Sequence, residues 1–168
     1  MKKEVIKLLG GNFVSQFIFI ITTPIISRLY SPEDFASTAI LISIFSPISI
    51  FTTFRYYLAI NSTNNDNEAE EIAGLCITIT FLVSLLTFFG IQIIKEYFPI
   101  WLVDKNLDKS INLLFIATFF YGCSIAIQYL LIRRKRYKFL GITKIFQSIL
   151  GSLSSILFFN FGVIGLYF

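Results

Sequence analysis

Five stretches of this sequence are apolar and long enough to cross a lipid bilayer, and no other feature limits the fold as strongly. A helix needs roughly 20 residues to cross a hydrocarbon core of about 30 Å. Only 14% of the 168 residues are charged, whereas about a quarter are charged in soluble domains. We therefore predict an all-α fold, a polytopic membrane helix bundle of about five transmembrane helices. The predicted spans are Leu8–Ser27, Phe35–Phe54, Ile72–Ile94, Ile111–Ile132 and Ile142–Phe161.

The basic residues between the spans predict the orientation of the chain. The N-terminal segment and the second and fourth loops together carry ten Lys and Arg, and the first and third loops carry four. Cytoplasmic loops are enriched in these residues. We therefore predict a multi-pass protein with a cytoplasmic N-terminus. Because the basic residues lie beside spans and form no separate basic domain, we expect membrane lipids as partners and no nucleic acid.

Several classes of enzyme are excluded by residues that the sequence lacks. It contains no His, so neither an HExxH zinc site nor His-based general base catalysis can form. The GxSxG motif and a glycine-rich phosphate loop are also missing. Cys76 and Cys123 fall inside predicted spans and lack metal-ligand spacing. We expect no enzymatic activity, no metal and no cofactor.

The first predicted span has one polar face. Asn12, Gln16, Thr23 and Ser27 fall within an arc of about 60° when successive residues turn by about 100°. Unpaired amides are costly against lipid, so this face must meet protein or water. No span carries Asp, Glu, Lys or Arg near its centre, which argues against a proton relay of buried carboxylates.

The fifth predicted span contains a row of small residues. Such rows let helix backbones approach each other closely in a membrane. We expect this row to pack against another helix. It consists of Ser148, Gly151, Ser152 and Ser155.

The densest run of charge, "RRKRYKF" over residues 133–139, follows the fourth predicted span. We expect it to anchor the chain to anionic lipid headgroups. The alternative is a docking surface for a cytoplasmic partner or a lipid-linked phosphate. The anchoring residues are Arg133, Arg134, Lys135, Arg136 and Lys138.

Three motifs resemble a known family: "PIISRLYSPEDFA" over residues 24–36, "RYYLAI" over residues 55–60 and "EAEEIAGL" over residues 68–75. They are similar to the N-terminal part of the polysaccharide biosynthesis flippases, the bacterial O-antigen and capsule translocases of the multidrug/oligosaccharidyl-lipid/polysaccharide exporter superfamily. Ala36 stands where the family usually has Gly. The matching positions are Arg28, Tyr30, Ser31, Pro32, Asp34 and Phe35 in the first motif and Arg55, Tyr56, Ala59 and Ile60 in the second.

The resemblance implies a larger transporter. Family members have about twelve or more spans in two halves, which enclose a central cavity lined by basic and polar side chains. On this basis residues 1–168 form a single membrane domain, the partial N-terminal lobe of the transporter fold, truncated before a sixth span. The implied location is the bacterial inner membrane. The implied partners are a lipid-linked oligosaccharide substrate, a missing second lobe and polysaccharide polymerase or assembly proteins.

The resemblance also implies the function, which is translocation of a lipid-linked oligosaccharide across the cytoplasmic membrane. Arg28 and Arg55 would then bind the pyrophosphate, one at each end of the transport path, because the Arg guanidinium can form two parallel hydrogen bonds to phosphate oxygens. Asn12, Gln16 and Thr23 would line the path and bind sugar hydroxyls. In the alternative view both arginines are interfacial anchors. The alternative functions are a multidrug-type exporter of small cations and a non-transporting remnant or scaffold.

Overall fold

The computed structural model describes residues 2–63, 65–97, 110–162 and 165. The described residues form helices and no strand, and five of the helices are long and apolar enough to span a membrane, which confirms the predicted all-α fold. Two short 3-10 helices cover Tyr56–Asn61 and Phe159–Phe161. Most of the segment where we expected a sixth span to begin lies outside the described residues. The five long helices are α1 (Lys2–Leu29), α2 (Pro32–Phe51), α3 (Asp66–Tyr97), α4 (Leu114–Arg133) and α5 (Tyr137–Leu157).

The chain divides into two compact units. The first, which we call the α1–α5 unit, contains Met1–Thr38 and Arg134–Phe168. The second, the α3–α4 unit, contains Ala39–Arg133. Helix α2 begins in the first unit and ends in the second. The single membrane domain over residues 1–168 stays a prediction.

In the α1–α5 unit the two long helices pack closely and run parallel. A Cβ atom placed on Gly11 would lie 2.6 Å from the Cα atom of Gly141, so the two backbones touch at this point. Further along, the hydrogen-bonded partners advance together on both helices, which fixes the parallel direction and confirms that the small residues of α5 are a packing face. These bonds are Ser148 Oγ to Ser15 O (2.9 Å), Thr22 Oγ1 with Ser152 Oγ (3.1 Å) and the Tyr30 hydroxyl to Ser155 O (2.6 Å).

Gly10 and Gly11 give a matched test of this packing. A Cβ on Gly10 would meet nothing within 4 Å, whereas a Cβ on Gly11 would meet the backbone of Gly141. We expect Gly11→Ala to destabilise the protein by about 1–3 kcal/mol through overpacking. We expect Gly10→Ala to stabilise the protein by about 0.5–1 kcal/mol, because alanine favours the helix and its Cβ meets no other atom. The measurement is the midpoint of thermal unfolding in detergent, and equal midpoints for the two variants would contradict the close approach.

In the α3–α4 unit the two long helices run antiparallel. A Cβ atom on Gly122 would lie 2.4 Å from the side chain of Thr80, so α4 needs glycine where it crosses α3. Aromatic pairs continue the contact on one side of this point, and a small core lies on the other. The pairs are Phe81 with Phe119 (6.2 Å between ring centroids) and Phe88 with Phe115 (5.2 Å). The core consists of Ile60, Ala69 and Ala73, with Tyr57, Ile72, Tyr129 and Leu130 packed against it.

Helix α2 ends at Phe51, three residues before the predicted end of the second span. The chain then turns through Phe54 and Arg55, whose φ angles are 45° and 61°, and enters the first 3-10 helix. The hydroxyl of Thr80 donates to the carbonyl oxygen of Thr52 (3.1 Å) and also to that of Cys76 (2.7 Å). Thr80 lies about 21 Å along α3 from its first residue, at 1.5 Å per residue. The end of α2 therefore lies beside the middle of α3.

Candidate functional site

The broken end of α2 is held in an irregular but well-bonded conformation. The last carbonyl groups of a helix lack partners within it and must find others. Phe51, the last residue of α2, has its carbonyl oxygen bonded to Phe54 N (3.3 Å). Within the turn that follows, Thr53 O accepts from Tyr56 N (2.9 Å) and Arg55 O from Leu58 N (3.0 Å). The Thr80 hydroxyl satisfies the Thr52 carbonyl. Irregular backbone at membrane depth requires partners for its carbonyl groups, and these bonds supply them. The buried Thr53 hydroxyl, in contrast, has no hydrogen-bond partner among the described residues.

Arg55 stands at the turn and presents its side chain outward. It is exposed, and the described part of the chain offers its guanidinium no hydrogen bond or ion pair. Left-handed backbone at two successive non-glycine residues costs of order 1–3 kcal/mol each and persists only where the surroundings impose it. The sequence placed Arg55 at the end of a span, whereas the structure places it beside the middle of α3.

An apolar groove of about 680 Å³ adjoins Arg55. The residues on either side of the arginine, Phe54 and Tyr56, form one wall of this groove. The opposite wall is a strip of α3 formed by Ile79, Leu82, Val83 and Leu86. The two sequence neighbours of an exposed arginine therefore line an apolar groove.

Arg133, the last residue of α4, fixes the segment that follows Arg55. Its Nη1 atom donates to the carbonyl oxygens of Ile60 and Thr63, each at 2.7 Å, and lies 2.8 Å from the Thr63 hydroxyl. Its Nε atom donates to the Asp66 carboxylate at 3.0 Å. The Arg133 side chain is 14% exposed and that of Asp66 is 81% exposed. We call these contacts of Arg133 with Ile60, Thr63 and Asp66 the latch. Its contacts with the loop carbonyls contribute most of its stability, because exposed ion pairs contribute little.

The latch makes a graded prediction for stability. Arg133→Ala removes charge-assisted hydrogen bonds to two partly buried carbonyl groups, and we expect a loss of about 2 kcal/mol. Arg133→Lys should recover only part of this, because an ammonium cannot reproduce the planar fork. Asp66→Asn, the control, should cost less than about 1 kcal/mol. Thermal unfolding in detergent measures all three variants, and an Asp66→Asn loss as large as that of Arg133→Ala would contradict this order.

The first motif builds the turn between α1 and α2. Asp34 Oδ2 accepts hydrogen bonds from the backbone N–H (3.1 Å) and the hydroxyl (2.9 Å) of Ser31, and the Ser31 Oγ accepts from Asp34 N (3.2 Å). Pro32 takes the first helical position, where its missing N–H is not needed. Burial, and then the nearby Asp34 charge, raise the pKa of the Tyr30 hydroxyl, which donates to Ser155. Tyr30, Ser31 and Asp34 therefore have structural roles, and Arg28 is exposed in the last turn of α1.

The polar face predicted for the first span is present on α1. Asn12, Gln16 and Thr23 are exposed, and the Thr23 hydroxyl donates to the Phe19 carbonyl at 2.7 Å. The donor of Thr23 is thus used within its own helix, whereas the amides of Asn12 and Gln16 are available. These three residues and Arg28 belong to the α1–α5 unit, and Arg55 belongs to the α3–α4 unit.

The basic run divides into two parts. Arg133 ends α4 and is used by the latch, so its guanidinium is directed at the loop carbonyls. The Arg136 guanidinium lies 6.0 Å from the ring centroid of Phe139, in cation–π geometry. Headgroup anchoring stays a prediction for the four remaining basic residues, all of which are exposed: Arg134, Lys135, Arg136 and Lys138.

A second, polar groove of about 380 Å³ runs along the α1–α5 pair. Its residues are Ser15, Gln16, Phe19, Lys144, Gln147 and Ser148. The Ser148 hydroxyl bonds the Ser15 carbonyl and closes the floor of the groove. Lys144 is half-buried and lies within α5, although the sequence analysis counted it among loop charges.

Comparison with known protein families identifies the chain. A family model described as polysaccharide biosynthesis protein matches residues 25–167, which include Arg28 and Arg55. The chain belongs to this polysaccharide biosynthesis protein family. Membership, together with the five apolar helices, indicates a multi-pass membrane protein with a role in polysaccharide biosynthesis or export. Comparisons with curated proteins and with solved structures gave no match.

Two features of this family member were missed by sequence reasoning. The position of Arg55 beside the middle of α3 has no sequence signal, because it follows from the contact of the Thr52 carbonyl with Thr80, which is distant in sequence. Lys144 and Gln147 did have a signal: residues three apart lie on the same side of a helix, and both belong to α5.

Proposed function

We propose that this chain takes part in flipping a lipid-linked oligosaccharide, as in O-antigen or capsular polysaccharide export, across the cytoplasmic membrane. The observation that carries the proposal is the position of Arg55 beside the middle of α3, on broken backbone and without a described partner. Broken helices with irregular backbone are the usual construction of transporter binding sites near the bilayer midplane. The family match supports a polysaccharide precursor as cargo.

The depth of Arg55 supports an anionic cargo. The apolar part of α3 begins near Ile72, and Thr80 lies about 12 Å further along the helix. In a hydrocarbon core of about 30 Å this level is close to the midplane. A cation at such depth needs an anion or water, and ionisable residues there usually mark a transport path. Arg keeps its charge in this setting and binds phosphate oxygens with two parallel hydrogen bonds.

The apolar groove beside Arg55 supports a lipid cargo. A lipid pyrophosphate combines an anionic head with a long hydrocarbon chain. Arg55 offers a partner for the head, and the strip of α3 from Ile79 to Leu86 offers an apolar surface for the chain. Phe54 and Tyr56, which flank Arg55 in the sequence, belong to this groove. One lipid pyrophosphate needs such a neighbouring pair, a partner for its head and an apolar surface for its chain.

These 168 residues offer few of the side chains that the rival exporter of small cations would need. A cation site inside the membrane calls for a buried carboxylate. Between Asp34 and Asp66, and again between Glu71 and Glu96, the sequence contains no Asp or Glu. We propose in addition that the N-terminus is cytoplasmic, that the membrane is the bacterial inner membrane, and that a second lobe and polysaccharide polymerase or assembly proteins are partners.

Arg55 provides the test in cells whose surface polysaccharide depends on this protein. We expect Arg55→Ala to lower the amount of surface glycan at least about tenfold. Removing the guanidinium loses charge-assisted hydrogen bonds to the phosphate, which contribute roughly 1.5–3 kcal/mol. Arg55→Lys, which keeps the charge without the fork, should retain part of the export. The readout is surface glycan labelling, normalised to the amount of protein in the membrane.

Leu58→Ala is the matched control, because Leu58 is exposed on the 3-10 helix that begins directly after Arg55 and lines neither groove. It should export normally. Normal export by Arg55→Ala at normal protein levels would contradict the proposed function.

A further inference from the structure

The polar groove on the α1–α5 pair is a second candidate site. It shares no residue with the turn at Arg55. Its centre is Lys144, which lies about 10 Å along α5 from the first residue of that helix. Polar side chains from two helices surround it, and the only apolar side chain in the groove is the ring of Phe19. Hydrogen-bonding groups from both helices therefore line part of this groove, and the rest of its surface is hydrocarbon.

Lys144 has no counterion within the described residues. Neither an ion pair nor a hydrogen bond to a carboxylate involves it there. It is half-buried, while its two polar neighbours, Gln16 and Gln147, are exposed. An ammonium group at this position in a membrane helix is a functional-site candidate, and its natural partner is an anionic group on a ligand.

The neighbours of Lys144 are neutral and can both donate and accept hydrogen bonds. Each glutamine amide provides an NH2 donor and a carbonyl acceptor. The Ser148 hydroxyl donates to the backbone carbonyl of Ser15, so its proton is used, whereas the two amides are available. Paired donors and acceptors beside an aromatic ring suit a ligand rich in hydroxyl groups with an apolar face, which describes a sugar ring.

The charge of the groove distinguishes a carboxylate from a pyrophosphate. A pyrophosphate carries at least two negative charges, and proteins meet it with arginine forks or several cations. The groove offers one ammonium group among neutral amides, which balances one negative charge.

We propose that this groove binds an acidic sugar, with Lys144 paired to a single carboxylate of the uronic acid type and Gln16 and Gln147 bonded to the neighbouring hydroxyls. The inference rests on the proposed function and specifies its substrate class as an acidic glycan. It gives the two candidate sites different tasks: Arg55 meets the lipid phosphate, and Lys144 meets the sugar.

The test uses the full chain in nanodiscs of phosphatidylcholine, a lipid without net charge. The probes are a tetrasaccharide that contains glucuronic acid and the same tetrasaccharide after reduction of its carboxyl groups, which differ only in the charge. Equilibrium dialysis should show that the unmodified protein binds the acidic probe at least about tenfold more tightly, a difference of about 1.4 kcal/mol. Equal binding of the two probes would overturn the inference.

Variants assign the preference to Lys144. Lys144→Gln should remove the preference, and Lys144→Arg, which keeps the charge, should retain most of it. Lys95→Gln, which makes the same change of charge in the last turn of α3, should leave the preference intact. Gln147→Leu should weaken the binding of both probes. A preference that survives in Lys144→Gln, or that is lost in Lys95→Gln, would contradict the role of Lys144.

A third probe, a polyprenyl pyrophosphate without sugar, separates this inference from the proposed function. Its binding should fall in Arg55→Ala and stay unchanged in Lys144→Gln. Loss of pyrophosphate binding in Lys144→Gln would overturn the inference, because Lys144 would then be a phosphate contact. Unchanged pyrophosphate binding in Arg55→Ala would contradict the proposed function, while the comparison of the acidic and neutral sugars would still test Lys144.

Discussion

The hydrogen bond from the Thr80 hydroxyl to the carbonyl oxygen of Thr52 holds the end of α2 beside the middle of α3, and the candidate site depends on this position. Without it the apolar sequence after Phe51 could continue as helix and carry Arg55 to the membrane surface. The latch from Arg133 to Ile60 and Thr63 holds the other end of the same segment. Fixed at both ends, the turn keeps two successive residues in left-handed backbone and presents the guanidinium away from the α3–α4 core.

The spans could be predicted from the sequence because the cost of exposing polar backbone to lipid leaves few structures other than helices. All five appear, and the row of small residues on α5 packs as expected because close approach of two backbones needs small side chains at regular spacing. The end of α2 could not be predicted in the same way. Thr52, Thr53 and Phe54 include neither Gly nor Pro that would mark a helix end, and the hydroxyl that binds the Thr52 carbonyl is 28 residues further along the chain.

The sequence predicted which residues belong to the candidate site better than it predicted where they lie in the fold. Arg55 was selected from its motif, yet the motif says nothing about depth, which follows from tertiary contacts. Arg133 was grouped with the surface charges because charge density alone cannot show that three oxygen acceptors of a loop lie within reach of one nitrogen. Lys144 falls inside the predicted span Ile142–Phe161 but was counted with the basic residues of the fourth loop, because it lies close to the predicted start of that span. Its position within α5 makes it a candidate for binding cargo.

The depth of the turn after α2 tests this account most directly. Spin labels would be attached singly at positions 56, 66 and 82, in a protein whose Cys76 and Cys123 are replaced by alanine, and their depth in the bilayer measured by power saturation. Position 82 lies on the strip of α3 that shares a groove with Tyr56, and position 66 begins α3. The account predicts that the label at 56 is as deep as the label at 82. A label at 56 that is as shallow as the label at 66 would contradict it.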